Sequence, residues 1–459
     1  MKIALIQPQD NSGYPPLSVA YLSSYLETKG YKVRVFDLQI PAQRQSWQKD
    51  IAGFNPGIVG VTAMTPAIVK AGKIGITCKK ILPKAILVLG GYHLSFLPEE
   101  TMRQYMVYDA GVIGEGEITL HELVNTVEHG ENFDEVQGLI VRKGNELITT
   151  GQRERINNLD NLPWPHKHYD LDYYLWYGGY SDIWTFKCAS MIVSRGCPFK
   201  CRFCASQRFW SKNYRYCSPE YVIDEMKWLS RHGARAVYFR DSTFTVNKKW
   251  LMSFCEEKMR AGIKMRWICN SRVNTITEEV IVAMRDAGLE AIYFGVESGS
   301  QRVLDYYKKG TTVEQAQKAF ALCHKYGIAT VAFFMIGAPI ETRKDIEETR
   351  KFAHELNAKY THCFIYTPLP GSELYDDFIK HGYKPDFEHF IFNRAVIPID
   401  GISPKDLATI HQNIAGEFKH YPNRGELWQR RFQIINSVHS LRDILYLTGR
   451  LTRRMGFAG

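Results

Sequence analysis

The chain has 459 residues, 45% of them hydrophobic and 23% charged, so at ~150 residues per domain it makes two or three folded units with large cores. Disordered, collagen-like, coiled-coil and mucin-like states are excluded by that composition. A formal charge of +10 favours anionic partners, but it speaks to association rather than to fold.

The opening residues, Met1 to Pro8, read as one strand entering a polar loop rather than as a signal peptide. Apolar runs such as Val331 to Ile340 stop well short of the ~20 residues that a membrane-spanning helix needs. The expected location is the cytoplasm. Five short apolar runs follow one another, Ile3 to Ile6, Val33 to Phe36, Ile58 to Val61, Ile86 to Leu89 and Ala110 to Ile113, separated by amphipathic stretches. Leu17, Tyr21 and Tyr25 share one helical face before Gly30, a helix stop. Strand and helix in alternation predict an α/β domain with a doubly wound parallel sheet over residues 1–150. Ligands of such sheets bind at the carboxyl ends of strands, here Thr62 to Thr65, Gly90 to His93 and Gly114 to Glu117.

Residues 151–187 break the pattern with Pro163, Pro165, paired glycines and many aromatics, and are expected to form a linker. The aromatics Trp164, Tyr173, Tyr174, Trp176 and Tyr177 suit either a large apolar pocket or plain packing. From 188 to 385 the alternation resumes, with strands expected near 190–194, 236–240, 265–269, 291–295, 330–336 and 362–366. Ser218-Pro219, Thr277 and the pair Thr312 and Gln315 mark helix starts. The ~180 residues from Met191 to Gly371 are too few for a closed eight-unit barrel, which takes ~250, so a partial (β/α)6 barrel is predicted. Residues 386–459 read as a separate helical region. Its arginines at 424, 430, 431, 442, 450, 453 and 454 form either a solvated helix face or a peripheral contact with anionic lipid.

Ten cysteines are too sparse for a disulfide framework, and in a reducing compartment clustered ones point to metal binding or catalysis. Three of them, Cys197, Cys201 and Cys204, lie in the loop after the first barrel strand, with three and two residues between them. Gly196 and Pro198 let that loop curl. Three thiolates suit a four-iron cluster with one iron left open, whereas a structural zinc site would recruit a fourth ligand such as Cys217 or His232. The cysteines at 78, 188, 217, 255, 269, 323 and 363 show no second cluster spacing.

The cysteine loop, with Phe203 just before Cys204, resembles the signature of the radical S-adenosylmethionine (SAM) superfamily. That resemblance implies a [4Fe-4S] cluster whose open iron is chelated by SAM, and a 5′-deoxyadenosyl radical that abstracts a substrate hydrogen. It also implies roles at later strand ends. Asp241 would meet the amino end of SAM, Arg272 its carboxylate, Glu297 with Ser298 its ribose, and Gly337 its adenine through close backbone approach. Thr367 to Ser372 would lie beside the substrate.

An open sheet ahead of this barrel resembles the cobalamin-binding branch of the superfamily, which includes methyltransferases and the anaerobic tetrapyrrole ring cyclase. Thr62, Thr65, Gly91, His93, Gly114, Glu115, Gly116 and Glu117 would then hold cobalamin. An Asp-x-His-x-x-Gly element, through which other cobalamin proteins ligate cobalt, is absent. The expected reaction is methylation of an unactivated carbon of a small-molecule or lipid-like substrate, with a flavodoxin or ferredoxin as reductant. Cobalamin-assisted oxidative cyclisation or rearrangement is the first alternative. An RNA-modifying methylthiotransferase is the second, although no stacking platform of aromatics interleaved with basic residues is visible and no nucleic-acid partner is expected. A zinc-binding scaffold without activity is the last.

Overall fold

The structure is a computed structural model that describes residues 1–418 apart from 11, 178–186, 212, 391, 398 and 400. The chain folds into two compact units, neither continuous in sequence. The first contains Met1–Asp170 together with Phe203–Arg215 and Pro368–Ile391; the second contains Leu171–Arg202, Tyr216–Thr367 and the chain from Phe392. Two short stretches of the barrel sequence, Phe203–Arg215 and Pro368–Ile391, pack into the first unit.

The first unit is built on a seven-stranded sheet of β1 (Lys2–Gln7), β2 (Lys32–Asp37), β3 (Ile58–Thr62), β4 (Ile86–Gly90), β5 (Ala110–Val112), β6 (Leu139–Lys143) and β7 (Glu146–Thr149), in the order β2-β1-β3-β4-β5-β6-β7. The first five pair in parallel, and the hairpin β6–β7 adds antiparallel to β5. Ile3, Ala4, Leu5 and Ile6 are all buried, as a strand covered on both faces requires. One face packs on Val19 and Leu26 of the helix Leu17–Thr28 and on Leu120, Leu123 and Val124 of the helix Gly116–Glu128. The strand order reverses beside β1, the position at which open α/β sheets bind ligands outside the carboxyl ends of their strands.

The second unit holds six parallel strands: β8 (Cys188–Met191), then, after the two-residue strands β9 (Ser194–Arg195) and β10 (Arg215–Tyr216), β11 (Ala236–Phe239), β12 (Arg266–Ser271), β13 (Leu289–Glu297), β14 (Ala329–Ile336) and β15 (Tyr360–Ile365). Their order, β15-β14-β13-β12-β11-β8, follows the sequence without reversal, as in a barrel, and leaves β8 and β15 as edges. This is the partial six-strand barrel read from the sequence. Its first strand lies at 188–191 rather than 190–194, because the chain is already turning toward the cysteines at Ile192.

Alternate residues face opposite ways along each strand. Phe239, Phe294 and Phe334 meet Phe254, Phe320 and Phe352 of the outer helices. Tyr238, Tyr293 and Phe333 form the other face, and His362 stacks on Phe333 with ring centroids 5.4 Å apart. The helix starts expected from sequence are present: Ser218 and Thr277 accept N–H bonds from Tyr221 and Val280, and Thr312 with Gln315 forms a capping box.

The final described helix, Pro404–Glu417, is capped by Ser403 and packs on β15, where His411 meets the Cys363 carbonyl at 2.9 Å. It belongs to the second unit. The tail arginines lie outside the described residues. No helix among the described residues is long and apolar enough to cross a membrane.

Candidate active site

The cysteine loop begins where β8 ends, and Asp241 fastens its root. One oxygen of that carboxylate accepts the Val193 N–H at 3.1 Å and the Ser194 hydroxyl. The other oxygen is buried without a partner. Burial lifts the Asp241 carboxyl from 3.8 to about 7, opposed by the bonds from Ser194 and Val193. Gly196 then takes φ +120°, in the region that favours glycine, and the loop turns out to Cys197.

Each of the three thiols has an N–H donor. The Cys197 sulfur, whose pKa burial raises, accepts from the Phe199 backbone. Cys201 lies 3.3 Å from a guanidinium nitrogen of Arg272, and the Cys204 sulfur accepts the Ser206 N–H at 3.4 Å. Such donors stabilise thiolate sulfur and tune iron-sulfur clusters. Cys197 and Cys201 are half-buried and Cys204 is exposed. Among the described residues no three His, Cys, Asp or Glu side chains close around a single ion. A four-iron cube takes each thiolate on a different iron, so its ligands need not converge on one point. This donor set fits the cluster.

Arg272, at the end of β12, is buried on the same loop. Its guanidinium lies 3.7 Å over the Phe199 ring, donates to the Lys309 carbonyl, and reaches Asn274 at 3.3 Å. Beneath it Arg202 donates to the Tyr306 carbonyl, and the Arg202 N–H bonds the Tyr307 carbonyl at 2.9 Å.

Glu297 closes β13 at φ +71°, where the pairing with β14 slips by one residue after Gly295. That strained turn puts its carboxylate 2.6 Å from the Lys309 ammonium, both side chains being almost buried. Lys309 was not singled out from sequence. Its signal is indirect, in that a carboxylate at a buried strand end requires a cation, and Lys308-Lys309-Gly310 is the nearest cationic turn downstream.

Ser298 is fully buried, and its hydroxyl engages Thr349 at 2.9 Å and the Ser300 N–H at 3.1 Å. It holds the loop after β13 against the helix Arg343–Glu355 that follows β14. Gly337 takes φ +100° after β14, and a methyl there would come within 3.0 Å of Leu407. The Gly337 and Ala338 N–H groups both donate to one oxygen of Glu341, a residue that sequence reading also missed. Burial lifts Glu341 to about 7.

In the first unit the expected rim is assembled. Ala63 N–H bonds the Gly90 carbonyl at 2.9 Å, and His93 N–H the Ala63 carbonyl at 3.3 Å. Thr62 ends β3, and Gly91 takes φ +100°, where a methyl would strike the Ala63 carbonyl at 2.6 Å. Thr65 and His93 are both buried and bonded to each other at 3.2 Å, with His93 edge-on to Phe387. Burial lowers His93 to about 4, so its ring is neutral near pH 7.

Gly114 takes φ +80° and donates its N–H to Ser95, Gly116 opens the next helix, and Glu117 is buried in its first turn. Glu115 is clamped by Arg215 through both carboxylate oxygens. At Gly90 and Gly114 an added methyl would meet nothing within 4 Å, so bare backbone is offered to a flat ligand. That cradle fits a macrocycle such as cobalamin. Phe203 is half-buried in this unit, and Cys269 is a fully buried thiol in β12 of the other, pushed well up by burial.

Residues 191–353 match the model of the radical SAM superfamily, and residues 11–124 match the B12 binding domain. An uncharacterized methyltransferase of Pyrococcus horikoshii is 36% identical over 82% of this chain and 83% of its own length. An anaerobic magnesium-protoporphyrin IX monomethyl ester cyclase of Rubrivivax gelatinosus is 31% identical over 89% of this chain and 75% of its own. In fold, the chain resembles the radical SAM methyltransferase TsrM of Kitasatospora setae, solved with cobalamin and a [4Fe-4S] cluster bound, at TM-score 0.70 and 20% identity over 83% of this chain and 75% of that one. The chain belongs to the radical SAM superfamily, in the family of cobalamin-dependent radical SAM methyltransferases, and its cofactors are a [4Fe-4S] cluster, SAM and cobalamin.

Proposed function

We propose that this enzyme methylates an unactivated carbon of a small-molecule or lipid-like substrate, drawing electrons from a flavodoxin or ferredoxin. The observation that supports it most is the signature of three thiols, each with an N–H donor, in a chain that also offers a glycine-bared rim for a flat macrocycle. When bound, the cluster and SAM supply a 5′-deoxyadenosyl radical and cobalamin supplies the methyl group.

The work left to the chain is to bind, orient and exclude water. Cys197, Cys201 and Cys204 hold the cluster. Arg272 neutralises charge beside the Cys201 sulfur and offers its guanidinium to the SAM carboxylate. Asp241 keeps one oxygen for the loop root and has the other, buried and without a protein partner, left for the SAM amino group. Glu297, fixed from one side by Lys309, has a second oxygen for ribose hydroxyls. Gly337 brings backbone close to adenine, its turn held shut by Glu341. Thr62, Gly91 and Gly114 line the cobalamin cradle, with Thr65 and His93 bracing it from below.

The Rubrivivax relative favours one second reading, cobalamin-assisted oxidative cyclisation. Anaerobically reconstituted protein, given SAM with a deuterated methyl group, strong reductant and candidate substrates, separates the two. Methylation releases 5′-deoxyadenosine and S-adenosylhomocysteine together and adds one labelled methyl to the product. Cyclisation releases 5′-deoxyadenosine with a product that has lost hydrogen and carries no label. Failure to cleave SAM, or unchanged cleavage in Cys204→Ala, overturns both.

A further inference from the structure

Cys204 does not stand on a free loop. It lies in the segment Phe203–Arg215, which belongs to the first unit, and that segment is fastened to the loops leaving β4 and β5. The Phe209 ring stacks on Tyr92 with centroids 4.1 Å apart, and the Trp210 indole donates to the Tyr92 hydroxyl at 2.8 Å. Arg155 donates to the Phe209 carbonyl at 2.9 Å. At the far end Arg215 grips both oxygens of Glu115 and also the Ile156 carbonyl, the two side chains being only 9% and 5% exposed. The short helix Ser206–Trp210, whose first N–H meets the Cys204 sulfur, carries these contacts straight to the thiol.

Tyr92 follows Gly90-Gly91, and Glu115 follows Gly114, so the fastenings stand on the same loops that bare their backbone for cobalamin. A cleft of about 320 Å³ is lined jointly by Ser95, Phe96, Gly114 and Glu115 of those loops and by Arg208 and Phe209 of the segment. A buried, two-pronged Arg–carboxylate pair fixes geometry as well as distance, and removing one partner strands the other charge. Whatever shifts the rim therefore shifts the chain that follows Cys204.

We propose that Tyr92 and Glu115 are positioning residues for the iron-sulfur cluster: through Phe209, Trp210 and Arg215 they place the Cys204 thiolate, and cobalamin on the rim tightens the hold on iron. The relation is independent of which product the enzyme makes, and it needs no substrate to test. Full-length wild type, Glu115→Gln, Glu115→Asp and Tyr92→Ala are reconstituted anaerobically with iron and sulfide, with and without hydroxocobalamin. The readouts are the rate of iron loss to a chelator and the electron paramagnetic resonance spectrum of the reduced cluster. Cobalamin should slow iron loss and shift the spectrum in wild type. Glu115→Gln and Tyr92→Ala should lose iron about tenfold faster and no longer respond to cobalamin, while Glu115→Asp, which keeps the charge, recovers part of both. Asp50→Asn, which breaks an ion pair with Arg34 elsewhere in the same unit, should match wild type. Variants that hold iron and respond to cobalamin like wild type overturn the proposal. So does a wild-type cluster indifferent to cobalamin, a result that needs no variant to fold.

Discussion

Replacing Asp241 by Asn removes one titrating proton from a buried site while leaving the oxygen that accepts from Val193 and Ser194. In the folded chain burial holds the carboxyl protonated up to about pH 7, whereas the unfolded chain releases that proton near 3.9. A raised folded value means that the contribution to stability is complete below the unfolded value and is lost as pH rises toward the folded one. The distance from 3.8 to about 7, at about 1.36 kcal/mol per pH unit, comes to about 4 kcal/mol lost across that window. Asn has no such loss. Its amide nitrogen takes the place of an oxygen that already lacks a partner, which adds an offset independent of pH. The expected result is a stability difference that moves in favour of Asp241→Asn by about 2 kcal/mol between about pH 5.5 and pH 7 and is flat above. Paired urea titrations followed by tryptophan fluorescence measure it, and other acids such as Glu341 cancel because both proteins carry them. A difference that does not change with pH refutes the reasoning. A flat difference would mean that the carboxylate is already ionised in the fold at pH 5.5.

Three further outcomes follow from the same geometry. Lys309→Met strands the Glu297 carboxylate and should lower stability by ~3–5 kcal/mol in urea, most of it recovered in the double variant with Glu297→Gln; a double variant no more stable than the single one would remove the pair from the account. Gly91→Ala should cost ~1–3 kcal/mol and weaken cobalamin binding in an absorbance titration, because its methyl strikes the Ala63 carbonyl. Gly130→Ala, at positive φ in open space, should cost only ~1 kcal/mol and bind cobalamin normally; equal losses would contradict the rim assignment. Arg272→Gln withdraws a cation from the Cys201 sulfur and should lower the cluster midpoint potential by roughly 60 mV, one factor of ten for a one-electron couple, and a potential that stays or rises in a redox titration would count against that role.

The features legible in sequence are those set by local rules. Five parallel strands, six barrel strands and three helix caps follow from apolar period and from hydroxyl residues at helix starts, all decided within a few residues. The cysteine loop is legible because its spacing is itself the chemistry. The hairpin β6–β7 was missed because β7 is mostly exposed and has little apolar pattern; it is held by β6, which is held in turn by β5. The return of Phe203–Arg215 to the first unit was likewise invisible, since its anchors Tyr92, Glu115 and Arg155 lie 50 or more residues upstream. Glu115, expected to face cobalamin, and Ser298, expected to face ribose, carry the polar chemistry predicted for them but direct it to protein partners. Residue type reports what a side chain can bond, and tertiary contacts decide which partner takes it.

The strand ends of the barrel show why so much of their polar chemistry is turned inward. A radical needs no acid or base of matched pKa, but it does need its surroundings fixed before it forms, since loose groups and water are alternative sources of hydrogen. Lys309 is the centre of that fixation. Its ammonium holds Glu297 of β13, and its carbonyl takes the guanidinium of Arg272 of β12, which also lies on the Cys201 sulfur. One residue thus ties a carboxylate expected to meet ribose to a cation beside the cluster loop. Loss of the Lys309 side chain removes only the first tie, because the second runs through backbone. Lys309→Met should therefore disturb SAM affinity more than cluster potential, whereas Arg272→Gln should do the reverse, and finding the two variants alike in both measurements would dissolve this division of labour.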